Sequence, residues 1–304
     1  MTWFFIALLA PALWAASNLI DKHLLESVFK ERSTASFYLF SGLAGVVIVA
    51  TTFLGDSSVL YIPLKYVVIL LGGSVLGSGM LYCYLRAIRL GEASVVTILF
   101  QLIPVFSLGL GYLAFHEVLG ISQLAGSAVI IVGAMLLSFE LSETKIVRLK
   151  GKIIGWMLLA CLLGALSALA FKWVGIHNGF RAAVFWDYAG IVLIAATVFT
   201  VAPLPRREFL ETLLRSRKAV LGLLFFNEAI TVTGSLCMSF ATLMVPLALA
   251  QVVNGFQPVF VLLFGIIVAL VAPRLNYEKL AWHQVGQKTA AVAGILLGTY
   301  LLGR

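Results

Sequence analysis

The sequence predicts an all-α polytopic membrane protein, with ten transmembrane helices arranged as two inverted five-helix repeats around a central cavity. Three observations predict it: a charge-poor composition, ten apolar runs of spanning length, and a set of anchor residues that recurs in the two halves. Of 304 residues, 62% are hydrophobic and 11% charged, with a mean hydropathy of +1.06. An ordinary soluble domain carries about 25% charged residues. A chain of this length could not bury so much apolar surface in a soluble core. A spanning helix takes roughly 20 apolar residues, so ten spans with short loops use the whole chain.

The runs fall at 2–22, 34–54, 64–88, 93–115, 121–139, 153–174, 182–203, 217–241, 245–272 and 281–302. Their length favours helices over barrel strands, the two structures whose backbone groups are satisfied in lipid. The first, "MTWFFIALLAPALW", has no basic residue ahead of its apolar stretch and reads as a span, not a cleaved leader. Two connections carry more than a turn. In "RREFLETLLRSRK" (206–218), Phe209, Leu210, Leu213 and Leu214 share one helical face and charges the other. That pattern suits a short helix in the membrane interface or an early turn of the eighth span. The basic loop 141–152, "LSETKIVRLKGK", divides five spans from five. The predicted organisation is therefore a first repeat over 1–140, the loop 141–152, and a second repeat over 153–304.

The repeat is carried by particular residues. "AIRLGEASVVTILFQLIPVF" ends in Pro104-Val105-Phe106, and "ATLMVPLALAQVVNGFQPVF" ends in Pro258-Val259-Phe260. Ala87 then matches Ala241, and Ser94 matches Ala248. "HEVL", with Glu117, resembles "YEKL", with Glu278, and "WAASNLIDK" ending at Lys22 aligns with "ALSALAFK" ending at Lys172. Two repeats with an odd number of spans each sit in the membrane with opposite orientations. That is the plan of many secondary transporters, whose sites lie near the midplane between the halves.

Five plus five spans, a Lys closing the first helix of each half, and the run "A…AS…P.F…HE" resemble the drug/metabolite transporter superfamily, specifically its EamA-type members. The resemblance covers nearly the whole chain. It implies transport, often export, of a small metabolite such as an amino acid, across the cytoplasmic (inner) membrane of a prokaryote. It also implies termini on the inside. The charges argue otherwise: loops after the odd-numbered spans carry fourteen Lys and Arg, and the opposite side carries Lys65, Arg181 and Arg304. The positive-inside rule then places both termini outside.

An ionisable group at the centre of a spanning helix costs roughly 2.5–3.5 kcal/mol on insertion scales, so it normally faces a cavity or a partner. Glu228, in "FFNEAITVTGS", reads as the one carboxylate at that depth. Asn227 beside it and Thr231 one turn on make a polar stripe. These residues are candidates for substrate binding, Glu228 also for proton coupling; a structural ion pair is the bland alternative. Lys22, Lys172 and Asp187 are candidate coupling or gating residues, with Asp187 pairing with Lys172; snorkelling explains end-of-helix lysines equally well. Trp14 and Asn18 on the first span, and Gln251 and Asn254 on the ninth, are candidate walls of the binding site, or interhelical glue. Pro104 and Pro258 should kink spans four and nine. Gly73 and Gly77 have GxxxG spacing, which favours close helix packing.

Enzyme signatures are missing. "HEVLG" lacks the second His of a zinc helix, and the chain has no Walker loop and no GxSxG elbow. Cys83, Cys161 and Cys237 lie singly in apolar runs, without bridge or metal spacing. No cofactor or metal is expected. The net charge of +8 reports orientation and anionic lipid, and not nucleic acid. The reading is a secondary active transporter of an amino-acid-like or other zwitterionic or cationic solute. It would act by alternating access, driven by protons or a counter-solute. An intramembrane enzyme or head-group modifier and a non-transporting scaffold remain as alternatives.

Overall fold

The computed structural model describes residues 2–27, 34–90, 99–138, 151–271 and 282–302. Ser94, Glu278 and loop residues 141–150 lie outside them, as does the side chain of Lys22. The described residues are helical and contain no strand. The helices are α1 (Thr2–Ser27), α2 (Thr34–Gly55), α3 (Leu64–Leu90), α4 (Ile103–Phe115), α5 (Ile121–Ser138) and α6 (Gly151–Asn178). They continue as α7 (Phe180–Val201), α8 (Pro203–Arg215), α9 (Lys218–Met244), α10 (Leu247–Val252), α11 (Gln257–Val271) and α12 (Trp282–Leu302). Seven stretches among the described residues are long and apolar enough to cross a membrane, and three shorter apolar helices accompany them. The chain is an integral, multi-pass membrane protein. Large apolar side chains such as Phe5, Leu9, Val47, Leu113 and Ile121 point outward, where lipid would cover them.

Local signals set where these helices start and stop. Pro104 and Pro258 are each the second residue of a helix, after the 3-10 turns Phe100–Leu102 and Val253–Phe256. A proline is tolerated there because the N–H it lacks would have no partner inside the helix. Helix α4 stops at His116, which takes the left-handed conformation (φ 56°) and donates its N–H to the Tyr112 carbonyl, while Glu117 N–H reaches Gly111. Gly179 makes the one-residue turn between α6 and α7 at φ 83°, a value that favours glycine. Asp56 caps the 3-10 turn Ser57–Leu60 by accepting from the Ser58 amide at 3.0 Å. The Ser58 hydroxyl and amide, with Arg181 nearby, hold the Asp56 carboxyl below its ordinary range.

The 206–218 stretch forms its own helix, α8, which ends before α9 begins. Its apolar face is divided differently from the sequence expectation. Phe209 is buried against Phe40 and Phe199, and Leu213 joins the same cluster, while Leu210 and Leu214 are exposed beside the arginines. An exposed cleft of about 450 Å³ runs along α8, lined by Arg206, Arg207, Leu210, Glu211 and Leu214.

The helices pack in a regular set of pairs. Helix α1 lies on α9 and α3 on α6; α2 lies on α7, α5 on α12, and α4 on α10. Lipid is as apolar as a leucine side chain, so these pairs need close backbone approach and polar contacts, not hydrophobic burial alone. The α5–α12 pair shows it. A Cβ at Gly126 would stand 2.6 Å from the Gly298 carbonyl oxygen, and one at Gly298 2.8 Å from that of Gly126. The Gly73–Gly77 pair serves packing as well, since Ser167 Oγ on α6 donates to the Gly73 carbonyl at 2.9 Å. Gly126→Val should therefore destabilise the fold by about 1–3 kcal/mol, the usual cost of overpacking. Unfolding in mixed micelles measures this, and Ala125→Val on the exposed neighbour serves as the control.

Candidate functional site

Helices α1, α2 and α9 meet at a buried polar cluster. Asn227 and Glu228 sit in the middle third of α9, only 2% and 5% exposed. Asn227 Nδ2 donates to Asp21 Oδ1 at 2.6 Å, and Ser41 Oγ on α2 donates to Glu228 Oε1 at 3.0 Å. Ser17, one turn before Asp21 on α1, donates to Asp21 Oδ2 at 3.4 Å and shares a 2.7 Å hydrogen bond with Thr231 Oγ1. Trp14 Nε1 donates to the Thr231 carbonyl at 3.3 Å, which supplies the acceptor that a buried indole N–H wants. The spacing is helical: Trp14, Ser17 and Asp21 fall at i, i+3 and i+7 on α1, and Asn227 and Thr231 at i and i+4 on α9. Gly234 lets α1 come this close, because a Cβ there would meet Trp14 Nε1 at 3.0 Å.

A second polar layer lies against the first. Asp187 on α7 accepts from Ser74 Oγ on α3, at its carbonyl (2.9 Å) and its carboxylate (3.3 Å). Ser78 follows one turn along α3 and shares a 2.8 Å hydrogen bond with Tyr38 of α2. Tyr38 and Ser41 are one turn apart on α2 and bond Ser78 and Glu228 respectively, so the two layers adjoin. Gly190 makes room, since a Cβ there would collide with Ser74 Oγ at 2.2 Å.

Some expectations are corrected here. Glu228 is not a solitary acid at its depth: its neighbour Asn227 holds Asp21. The reason is the length of α1, which runs to Ser27 and not to 22. Asp21 is thus one and a half turns inside a helix instead of at its end. Asp187 does not pair with Lys172. Lys172, 3% exposed, forms an ion pair with Glu117 and donates to the Val245 carbonyl at 2.6 Å, on the side of α6 that faces α4 and α10. Glu117 Oε2 accepts the Leu247 amide at 2.8 Å. A Cβ at Gly111 would lie 2.6 Å from Glu117 Oε2, so this glycine lets the carboxylate fold back onto α4. Asn18 is exposed, one residue round from the inward-facing Ser17.

Gln251 is 7% exposed on α10, and Asn254 Nδ2 donates to its Oε1 at 2.9 Å. Among the described residues no hydrogen bond joins this amide pair to Glu228. Ala250 does pack in one cluster with Trp14 and Met238, which sets α10 against α1 and α9. Sequence reasoning gives Ser17 only as added polarity beside Asn18 and does not pick out Ser41, Ser74, Ser78 or Tyr38. Only the serine spacing at 74 and 78 gave a signal, one helical turn apart inside an apolar run.

The comparisons with known proteins accord with this architecture. Residues 1–139 match the EamA-like transporter family. That family is part of the drug/metabolite transporter superfamily, and the matched residues hold α1 through α5. A solved structure titled "Crystal structure of protein" covers 100% of this chain, with 98% of its own chain aligned, at a TM-score of 0.71 and 14% identity. That likeness shows a shared fold over the whole length, including the half beyond residue 139. No curated protein matches the chain.

Proposed function

We propose that the protein is a secondary active transporter of a small polar metabolite, working by alternating access between two inverted five-helix halves, 1–140 and 153–304. The observation that carries this reading is the buried acid–amide cluster. It is built by helices from both halves, Asp21 and Ser41 from the first with Asn227 and Glu228 from the second. A solute bound there touches both halves, which is what rocking of one against the other requires.

Packing supports the inverted repeat. Exchange each span for its counterpart five spans on. The α1–α9 pair becomes α6–α3, α1–α11 becomes α6–α4, and α2–α9 becomes α7–α3; α2–α7, α5–α12 and α4–α10 map onto themselves. All of these pairs are in contact. Ala87 and Ala241, matched in the two halves, are both fully buried.

Lys172 with Glu117 ties the halves at one end of the bundle and acts as a gate that opens in the opposite-facing state. Lys22 holds the matching sequence position at the other end. Pro104 and Pro258 mark the breaks about which spans four and nine bend. Family likeness favours export across a prokaryotic inner membrane, and the Lys/Arg bias favours termini outside. Protons or a counter-solute drive the cycle, Glu228 carries the coupling, and no covalent chemistry is done on the solute.

Proteoliposomes loaded with a small-molecule cell extract test this. Efflux of one class of polar solute should depend on the protein and respond to an imposed proton gradient or to added external solute. Leakage equal to that of protein-free vesicles for every compound would sink the reading.

A further inference from the structure

We propose that Asp21, Asn227 and Glu228 receive a cationic nitrogen group, a primary ammonium or guanidinium, at one end of the solute. This rests on the transporter reading and makes it more specific.

The argument begins with hydrogen-bond supply. The donors around the cluster point inward to carboxylates: Asn227 Nδ2 to Asp21 Oδ1, Ser41 to Glu228 Oε1, and Ser17 to Asp21 Oδ2. With Ser17 donating to Asp21, the 2.7 Å contact leaves Thr231 as donor to Ser17, so that chain of hydroxyls also ends on Asp21. Asn227 Oδ1 is buried in a residue 2% exposed and has no partner among the described residues. An orphaned acceptor at such depth normally costs about 1–3 kcal/mol. What the cluster lacks is donors. An ammonium brings three and a guanidinium five, and neither has an acceptor of its own.

Charge points the same way. Among the described residues the ion pairs are Lys172–Glu117, Arg181–Asp56 and Arg207–Glu211, and none includes Asp21, Asp187 or Glu228. Lys172 is held by Glu117 and the Val245 carbonyl. A carboxylate or phosphate placed here would face two carboxylates whose hydroxyl and amide donors are already engaged.

Four probes matched for chain length test it: cadaverine and agmatine as cations, 1,5-pentanediol as the neutral analogue, and glutarate as the anion. Each is titrated calorimetrically into the full-length protein in lipid nanodiscs. At least one cation should bind, at least tenfold tighter than the diol and the diacid. Glu228→Gln and Asn227→Leu should each weaken that binding tenfold or more, and Ser41→Ala less. The inference is overturned if neither cation binds wild type, or if the diol or glutarate binds as well as the better cation. It is also overturned if cation affinity is unchanged in the folded variants. Should Glu228→Gln not fold, Asn227→Leu decides. Protein-dependent flux of a solute without cation binding removes this inference alone, whereas cation binding without flux of any solute removes the transporter reading.

Discussion

Lys172→Met should lower the stability of the folded protein by about 3 kcal/mol or more, because removing one member of a buried ion pair strands the other. Lys172 is 3% exposed and holds both the Glu117 carboxylate and the Val245 carbonyl. Once it is gone, Glu117 Oε1 faces α6 with no counter-charge, while Oε2 stays on the Leu247 amide. The effect spreads because this knot joins α6, the end of α4 and the α9–α10 connection. Glu117→Leu should cost a comparable amount for the mirror reason. The double variant Glu117→Leu/Lys172→Met should lose less than the sum of the two, by at least about 1 kcal/mol, since neither charge is then stranded. Equilibrium unfolding in mixed micelles measures all three. Strict additivity would mean that the two side chains act independently, and the gate assigned to them would be lost.

The second large effect is on function and leaves the fold in place. Glu228→Gln keeps the size of the side chain and the oxygen that accepts from Ser41 at 3.0 Å. It removes the charge. A hydrogen bond to a charged group is worth about 1.5–3 kcal/mol, so solute binding should weaken roughly 10- to 100-fold. Transport at low solute concentration should fall by the same factor, with the unfolding midpoint shifted little. If the variant transports normally, Glu228 is a structural acid and the cluster has been given the wrong role.

Much of the fold was legible because lipid imposes one rule on every segment: a run of about twenty apolar residues becomes a helix. At Pro104 and Pro258, where the sequence suggests kinks, a new helix instead begins after a 3-10 turn, because a missing N–H has few permitted places. Helix ends were harder. Asp21-Lys22-His23 reads as the close of a span, yet α1 continues to Ser27. Misplacing that end hid Asp21 as a site residue and made Glu228 look solitary. Glu228 itself stood out, as a lone acid does in an apolar run.

Its partner Ser41 did not stand out. A serine in a membrane helix is as often a packing residue, and nothing local says which helix it faces. The Lys172–Glu117 pair failed differently. Both residues were noticed, one through the repeat and one through "HE". Fifty-five positions separate them, however, and Asp187 was nearer along the chain. Only the packing of α6 on α4 decides between the two acids. The same holds for Asn18, which sequence could not tell from Ser17; a 100° step round α1 puts one inside and the other out.

The most direct test of the central claim, that the Asp21–Asn227–Glu228 cluster moves a solute across the membrane, is metabolite profiling of cells and medium. Wild type and Glu228→Gln are compared at matched protein levels. The account predicts that wild type shifts one small polar compound between the compartments and that the shift vanishes with the variant. No shifted compound with wild type, or an equal shift with both proteins, would contradict it.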